Sequence, residues 1–577
     1  MKEYKNAQLF LFQTSLLPTT SRGSGRELFM VLLAERIRII RSIEQKWWLA
    51  SLLLVLFAAS LWARPLLPID ETRYAAVAWE MHITGNWLVP HINGEPYSHK
   101  PPLLFWLINI AWLVIGAYDW VPRLVGVLIA FADLCLLQVL ANNLWPDRPT
   151  LVKTATWLLL GCLTFTFFST VLMFDLLMMA TVLIALIGLV RAARGTPSAW
   201  GLFAVGVGLG LLAKGPAVFL YLMPCALLAK WWARRAPIAI GWRWYWHLLL
   251  ATLLGIAIAL IWAIPAIEQG GEEYRQMILW GQTTGRMARA FAHARPWWWY
   301  LPLLPVMFLP WTLWLPLWRQ IPTIWRNTGL AERFCVAWFA PGLLAFSLIS
   351  GKQIHYLVPL FPALALLGAS CLQQASQPSR LGKVLPVLPF LIAGALAACA
   401  PLLASHFGWP TWVRQLSPLP GVGLMLLALA APVWLNGPNG AARLSVLTVL
   451  FVALAHVGIL REAVTDHAMP GMNAFLAEQA KQGTPIGFSE DFRDQYPFTS
   501  LLGQPAQLVP FKHELAWAKA NPQGVLVMEQ KGLAAQTLLH AEAFEPSGSR
   551  HIVAWRAQTL LDNPSWAARR PDAQSHY

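Results

Sequence analysis

The sequence predicts an α-helical polytopic membrane protein of about thirteen transmembrane helices, followed by a small C-terminal α/β domain on the outer face. Three observations carry this expectation. The 577 residues are 57% apolar and only 12% charged. Apolar runs of sixteen to twenty-two residues recur from about residue 48 to 460, each near the ~20 residues that cross a hydrocarbon core. After residue 460 the runs stop and the composition becomes that of a soluble domain.

Residues 1–46 are expected to be a cytoplasmic N-terminal segment, partly disordered because 1–28 are polar and mixed; Met30 begins a more ordinary N-terminus. No cleavable signal peptide is expected, since the run after residue 46 is followed by polar sequence without a small-residue cleavage site. The transmembrane domain is expected over 47–460. Candidate spans are 47–63, 102–117, 121–141, 151–169, 172–191, 199–213, 215–232, 246–266, 300–318, 334–350, 354–373, 384–405, 419–435 and 444–460. Many of the 32 tryptophans stand near run ends, as suits an interfacial belt.

Lys and Arg assign the sides, because cytoplasmic loops carry an excess of both. Arg36, Arg38, Arg41 and Lys46 precede the first span and place the N-terminus inside. Lys230, Arg234, Arg235 and Arg243 mark one inner loop, Arg319, Arg326 and Arg333 another, and Arg380 with Lys383 a third. The loops 64–101, 267–299 and 351–354 and the tail after 460 then face outward. A cytoplasmic start and an outer tail need an odd number of crossings, so one candidate between 102 and 191 is not a full span; the sequence leaves open which, and the short, partly re-entrant 102–117 is the one favoured. The net charge of +15 follows this topology and does not point to nucleic acid. The six cysteines lie in or beside apolar runs with no CxxC spacing and read as packing residues. In the tail, "GMNAFLAEQAKQGTPIGFSE" reads as helix, turn and strand, and "GVLVMEQ" and "RHIVAWRAQ" as further strands.

The outward loops hold the polar chemistry. "IDETRYAAVAWEM" predicts an amphipathic helix along the membrane surface, with Tyr74, Val77, Ala78 and Met81 on one face. Asp70 and Glu71 fall near its start, where negative charge is favoured, and read either as a cap or as a carboxylate site. Acids beside hydrocarbon are costly and face protein or water. Lys100, before Pro101 and Pro102, is poised for a lipid phosphate at headgroup depth. Loop two brings Arg286, Arg289, His293 and Arg295; loop three brings Lys352, His355 and Tyr356; Lys214–Gly215–Pro216 breaks a run at the outer end. Asp175 starts an apolar span there, as a partner for a cation or as part of a cavity lining. A cationic patch beside carboxylates suits an anionic lipid substrate.

The stretches "DETRYAAVAWEMHITGNWLVPHINGEPYSHKPPLLFW", "LAKGP", "HARPWWWY…FLPW" and "GKQIHYLVPLFP" resemble the C-type glycosyltransferases of the protein-mannosyltransferase superfamily, and within it the bacterial lipid A aminoarabinose transferases. The likeness covers residues 45–375, with the remainder alike in architecture. It departs at His99, where those transferases often carry Glu. The resemblance implies a C-type glycosyltransferase fold with a periplasmic domain at 461–577, in the bacterial inner membrane. It implies transfer of a sugar, 4-amino-4-deoxy-L-arabinose, from undecaprenyl phosphate to lipid A, with resistance to polymyxin and other cationic peptides as the outcome. Membrane lipids surround the chain and nucleic acid is no partner. Asp70 is implied as the catalytic carboxylate, with Glu71 and Asp175 beside it. Lys100, Arg286, Lys352 and Tyr356, with Arg73, Tyr74 and Tyr97, are expected to bind the donor phosphate. No essential cofactor is expected; a divalent metal on His99 and His293 requires loops one and two to meet. The alternatives are a protein O-mannosyltransferase with a peptide hydroxyl acceptor, an anionic-lipid transporter and a non-catalytic lipid-binding scaffold.

Overall fold

Helix α1 (Ser24–Ala63) opens the computed structural model, which describes residues 24–567 apart from 68–69, 235, 238, 279–293, 327, 374–377, 436–438, 465–468, 490–499, 501–502, 504–506, 511 and 548–549. The chain divides into two units, Met1–Ser51 and Leu52–Tyr577. The first is helical from Ser24 on; everything below concerns the second.

Helix α2 (Asp70–Thr84) begins with two acids in its first turn and ends at Gly85, whose φ of 70° supplies the left-handed exit that a side chain would strain. The expected apolar face is there: Tyr74, Val77, Ala78 and Met81 are all buried. So are Thr72, Ala75, Ala76 and Glu80, so α2 is packed within the protein on more than one side instead of floating on the membrane surface. A hairpin follows, β1 (His91–Ile92) with β2 (Glu95–Pro96). Its Asn93–Gly94 turn has φ 57° and 79°, the mirror-image turn that this dipeptide favours.

Helix α3 (Leu103–Ile115) packs on α2 and has 13 residues, about 20 Å of helix against a core of about 30 Å. Helix α4 (Val121–Leu144) follows. The candidate span 151–169 is broken into Pro149–Leu160 and Leu163–Phe168. At the break a Cβ on Gly161 would lie 2.5 Å from Ser445 Oγ and 2.6 Å from the Trp311 ring, so only glycine admits those neighbours. Helices α5 (Phe174–Ala193) and α6 (Ala199–Lys214) form a tight hairpin. Gly188 faces the Phe203 backbone and Gly206 faces Ala185, the small-residue contact that membrane helices use to approach closely.

A short turn, Gly215–Ala217, joins α6 to α7 (Val218–Leu227). Trp244 donates to the Ala226 carbonyl and packs edge-on against Trp200 at the start of α6. The chain therefore doubles back here, as the separate candidates 199–213 and 215–232 require. Helix α8 (Trp242–Gln276), kinked at Gly271, is largely unburied within the protein and leaves its apolar surface exposed. The candidate 300–318 is not continuous helix: it divides into Tyr300–Met307, Trp311–Leu313 and a helix from Leu315, in a stretch holding Pro302, Pro305 and Pro310. Then come α9 (Leu330–Leu348), a 3-10 segment Ile354–Leu360, α10 (Phe361–Gln373), α11 (Leu388–Leu403), α12 (Pro418–Trp434) and α13 (Gly440–Ala455). Among the described residues, nine helical stretches are long and apolar enough to span a bilayer, and α3 and α12 are shorter apolar helices. No disulfide joins any of the six cysteines, and four of them are buried.

Beyond α14 (Pro470–Lys481), Gly483 turns the chain at φ 71° into β3 (Ile486–Ser489). With β4 (Gln507–Val509), β5 (Val525–Gln530), β6 (Ala543–Ser547) and β7 (Arg550–Arg556) it forms a sheet of order β4-β3-β5-β7-β6. β3 is parallel to β4 and β5; the remaining pairs are antiparallel. Val525 and Val527 pack under α14, while Leu526 and Met528 pack with Trp517 and Trp555 on the other face. Burial on both faces is why this strand reads as a continuous apolar run.

Candidate active site

Two carboxylates, Asp70 and Asp175, each stand in the first turn of a helix, and the rings of Tyr74 and Phe174 link the two turns. Asp70, half-buried, accepts a hydrogen bond from the Tyr74 hydroxyl at 2.9 Å, one turn further along α2. Burial, and next the charge of Asp70, push the Tyr74 phenol well above its ordinary range, so it stays protonated and keeps donating. The Tyr74 ring stands edge-on to Phe174 at 4.9 Å, and Phe105 packs against both. Lys100 sits 5.8 Å above the Phe174 ring, half-buried between that ring and the loop that delivers it. Tyr97 packs between His99 and Phe105. An aromatic floor thus runs from Asp70 to Lys100 and on to the residue before Asp175.

Asp175 is buried at the start of α5. Lys214 Nζ lies 2.5 Å from Oδ1 and His355 Nε2 lies 3.8 Å from Oδ2. Lys214 also stands 4.5 Å over the Tyr356 ring. The His355 and Tyr356 rings meet at 4.9 Å, and the Tyr356 carbonyl accepts from Tyr221 at 2.7 Å. The α6–α7 turn and the 3-10 segment thus converge on one acid. Negative and positive groups alternate across this face: Asp70, Lys100, Asp175, Lys214. Such a surface can seat a phosphate and a polar sugar together while the bundle beside it takes an apolar chain.

Several expected members stand elsewhere. Glu71 is not on this face: it is 1% exposed and paired with Arg64 at 2.5 Å, and both its oxygens accept backbone N–H groups, from Leu67 and Leu172. Burial alone would push its carboxyl up, but Arg64, Arg123 and those amides outweigh it and hold it below the usual range. Glu71 is therefore a charged carboxylate fully engaged by the scaffold, which removes it from the catalytic set. Lys352 is likewise committed: its ammonium donates to the carbonyls of Arg295, at 3.0 Å, and Ile349. Only 3% exposed, it clamps the ends of loops two and three instead of facing a phosphate. Arg73 is half-buried on α2. Arg286 and His293 lie outside the described residues, and among the described residues no three His, Cys, Asp or Glu side chains are grouped to hold a metal ion. Lys214 and His355, read from sequence only as members of a basic patch, are the partners of Asp175. The signal for Lys214 was present: a lysine closing an apolar run immediately before Gly–Pro has little other use at that depth.

The class of this fold follows from a solved structure. The crystal structure of ArnT from Cupriavidus metallidurans bound to undecaprenyl phosphate matches with a TM-score of 0.66 at 20% identity, covering 88% of this chain and 96% of that one. The architecture is the C-type glycosyltransferase fold of a multi-pass membrane protein. Residues 99–262 match the family described as dolichyl-phosphate-mannose-protein mannosyltransferase. More particularly, the chain is similar to the undecaprenyl phosphate-α-4-amino-4-deoxy-L-arabinose arabinosyl transferase of Pectobacterium carotovorum subsp. carotovorum strain PC1, 32% identical over 336 residues, 56% of this chain and 58% of the relative. It is also similar to transferase 1 of that name from Pseudomonas fluorescens strain Pf0-1, 30% identical over 326 residues, 54% of each. The chain spans about half the length of these curated relatives. The resemblance carried by the sequence motifs is borne out.

Proposed function

We propose that this chain is an inverting glycosyltransferase that moves 4-amino-4-deoxy-L-arabinose from undecaprenyl phosphate to a phosphate of lipid A. It would act on the periplasmic face of the bacterial inner membrane, the side to which the Lys and Arg bias assigns loops 64–101 and 351–354. The observation that carries the reading is the half-buried Asp70 set beside Lys100 and the Asp175–Lys214 pair at one end of an apolar bundle. The names of the related transferases support the donor.

The chemistry is a single displacement. An acceptor oxygen attacks the anomeric carbon, the bond to the carrier phosphate oxygen breaks, and that oxygen leaves with the electron pair. Negative charge grows on the departing phosphate, and a cation already in place stabilises it without reorganisation. Lys100 supplies that charge. A lipid A phosphate is already a nucleophile and needs no base. Asp70 then orients the acceptor, stabilises positive charge developing on the sugar or pairs with its amine. For a hydroxyl acceptor it would be the general base. A peptide hydroxyl is the second reading, favoured by the match of residues 99–262 to the mannosyltransferase family. Capping lipid A phosphates with an amino sugar lowers surface negative charge, which accounts for resistance to polymyxin and other cationic peptides.

Mass analysis of lipid A from cells with and without the protein tests this. A pentosamine-sized addition present only with the protein is expected; identical lipid A, with a sugar appearing on protein instead, would move the assignment to the second reading.

A further inference from the structure

A second charged cluster is buried next to the proposed site, and the transfer chemistry uses none of it. Arg64 and Arg123 are 4% and 3% exposed and flank Glu71, at 2.5 and 3.8 Å. Both arginines also bind backbone. Arg64 Nη2 donates to the Thr170 carbonyl at 2.9 Å. Arg123 donates to the carbonyls of Ser60 at 3.1 Å and Pro65 at 2.8 Å, so it caps the end of α1. Thr170 Oγ1 in turn lies 3.1 Å from His456 Nε2, past the end of α13.

The placement of these contacts is what matters. Glu71 is the neighbour of Asp70, and Leu172 stands three residues before Asp175. Glu71 Oε2 accepts from Leu67 N–H, on the approach to α2, and Oε1 accepts from Leu172 N–H, on the approach to α5. One carboxylate thus grips the two segments that deliver the two site acids, and two arginines hold that carboxylate. Apolar residues of the same volume would stabilise the junction as well or better, but they would not fix its register through directional bonds. We propose that Arg64, Glu71 and Arg123 are positioning residues that set the spacing between Asp70 and Asp175. The inference rests on the reading of those acids as the transfer site.

The test uses the full chain in detergent, as wild type, Glu71→Gln and the conservative Glu71→Asp. Transfer from undecaprenyl-phosphate aminoarabinose to lipid A is measured, and active sites are counted by undecaprenyl phosphate titration. In Glu71→Gln, kcat per site falls about a hundredfold, since a shift of ~1 Å between acting groups can cost that much. KM for the donor stays within about twofold, the pattern of an interaction that matters only in the transition state. Glu71→Asp, which keeps the charge, regains part of the loss. Fewer sites at unchanged kcat per site would reduce the cluster to a structural role and overturn the proposal. If Glu71→Gln does not fold, Glu71→Asp carries the same comparison: kcat per site lowered at constant KM supports the proposal and unchanged kcat overturns it. If the wild type transfers no aminoarabinose, the functional reading fails and hydrogen exchange decides the positioning alone. The amides of Leu67, Glu71 and Leu172–Asp175 should then lose protection together in the variant, with the rest of the bundle unchanged. Unaltered exchange at either segment, or a uniform rise along the chain, refutes it.

Discussion

Replacing Lys214 by Met strands a carboxylate. The Asp175 side chain is 3% exposed and that of Lys214 12%, with 2.5 Å between their charged atoms. Removing one partner of a buried pair costs about 3–5 kcal/mol, because the other charge stays desolvated. The partial exposure of the Lys214 side chain lets water reach the site, which puts the expectation at the lower end, about 3 kcal/mol. The double variant Asp175→Asn/Lys214→Met strands nothing and should cost about 1 kcal/mol, the net worth of an ordinary hydrogen bond. Denaturant titration of the purified wild type and variants in detergent should find the double variant about 2 kcal/mol more stable than Lys214→Met alone. A single variant no less stable than the double would refute the argument, since Lys214 would then not be what makes a charged Asp175 tolerable.

Asp70→Asn keeps the shape of the site and removes its charge; transfer should fall by about 10²–10⁴, the usual contribution of a positioned acid or base, with undecaprenyl phosphate binding retained. Near-normal transfer would take Asp70 out of the mechanism. Lys100→Ala should weaken carrier binding about tenfold, the loss of one charge-assisted phosphate contact; unchanged affinity by titration would end its assignment. Glu80, which accepts from the Gly94 amide at the hairpin tip, is lifted by burial from 4.5 to about 7, against the pull of the Gly94 and Asn93 amides. The folded state therefore retains a proton that the unfolded chain loses, so stability should decline as pH rises from 4.5 to about 7, by at most about 3 kcal/mol. Glu80→Gln should flatten that slope in pH-dependent unfolding; an unchanged slope would assign it to another group.

The sequence made the bundle legible because each span must be apolar over its whole length, and a run of that kind survives in one dimension. Asp70, Lys100 and Asp175 were legible for the converse reason: a charge at the edge of such a run needs a purpose. Glu71 was misread because nothing in the sequence marks Arg64, seven residues back, or Arg123, on α4, as its partners. Nothing local tells Asp70 and Glu71 apart; only the packing of α4 and the segment before α5 engages Glu71 and leaves Asp70 beside Tyr74. Lys352 was assigned to the phosphate because its actual partners are backbone carbonyls, which carry no signature in a sequence. The breaks at Gly161 and in 300–318 were missed as well, since hydropathy averages over the glycine and prolines that interrupt a helix.

The bond from Thr170 to His456 joins positions 286 residues apart. At about 5–20 residues per second of synthesis, that separation is roughly 15–60 seconds of translation. Asp70 and Asp175 have thus left the ribosome long before the residue that seats the loop leading to Asp175 has been made. A ribosome-bound chain in that interval carries its charged arginines and carboxylates without their finished enclosure, and ribosome stalling or truncation short of residue 456 should leave a product that inserts in the membrane yet is recognised by quality-control proteases as incomplete.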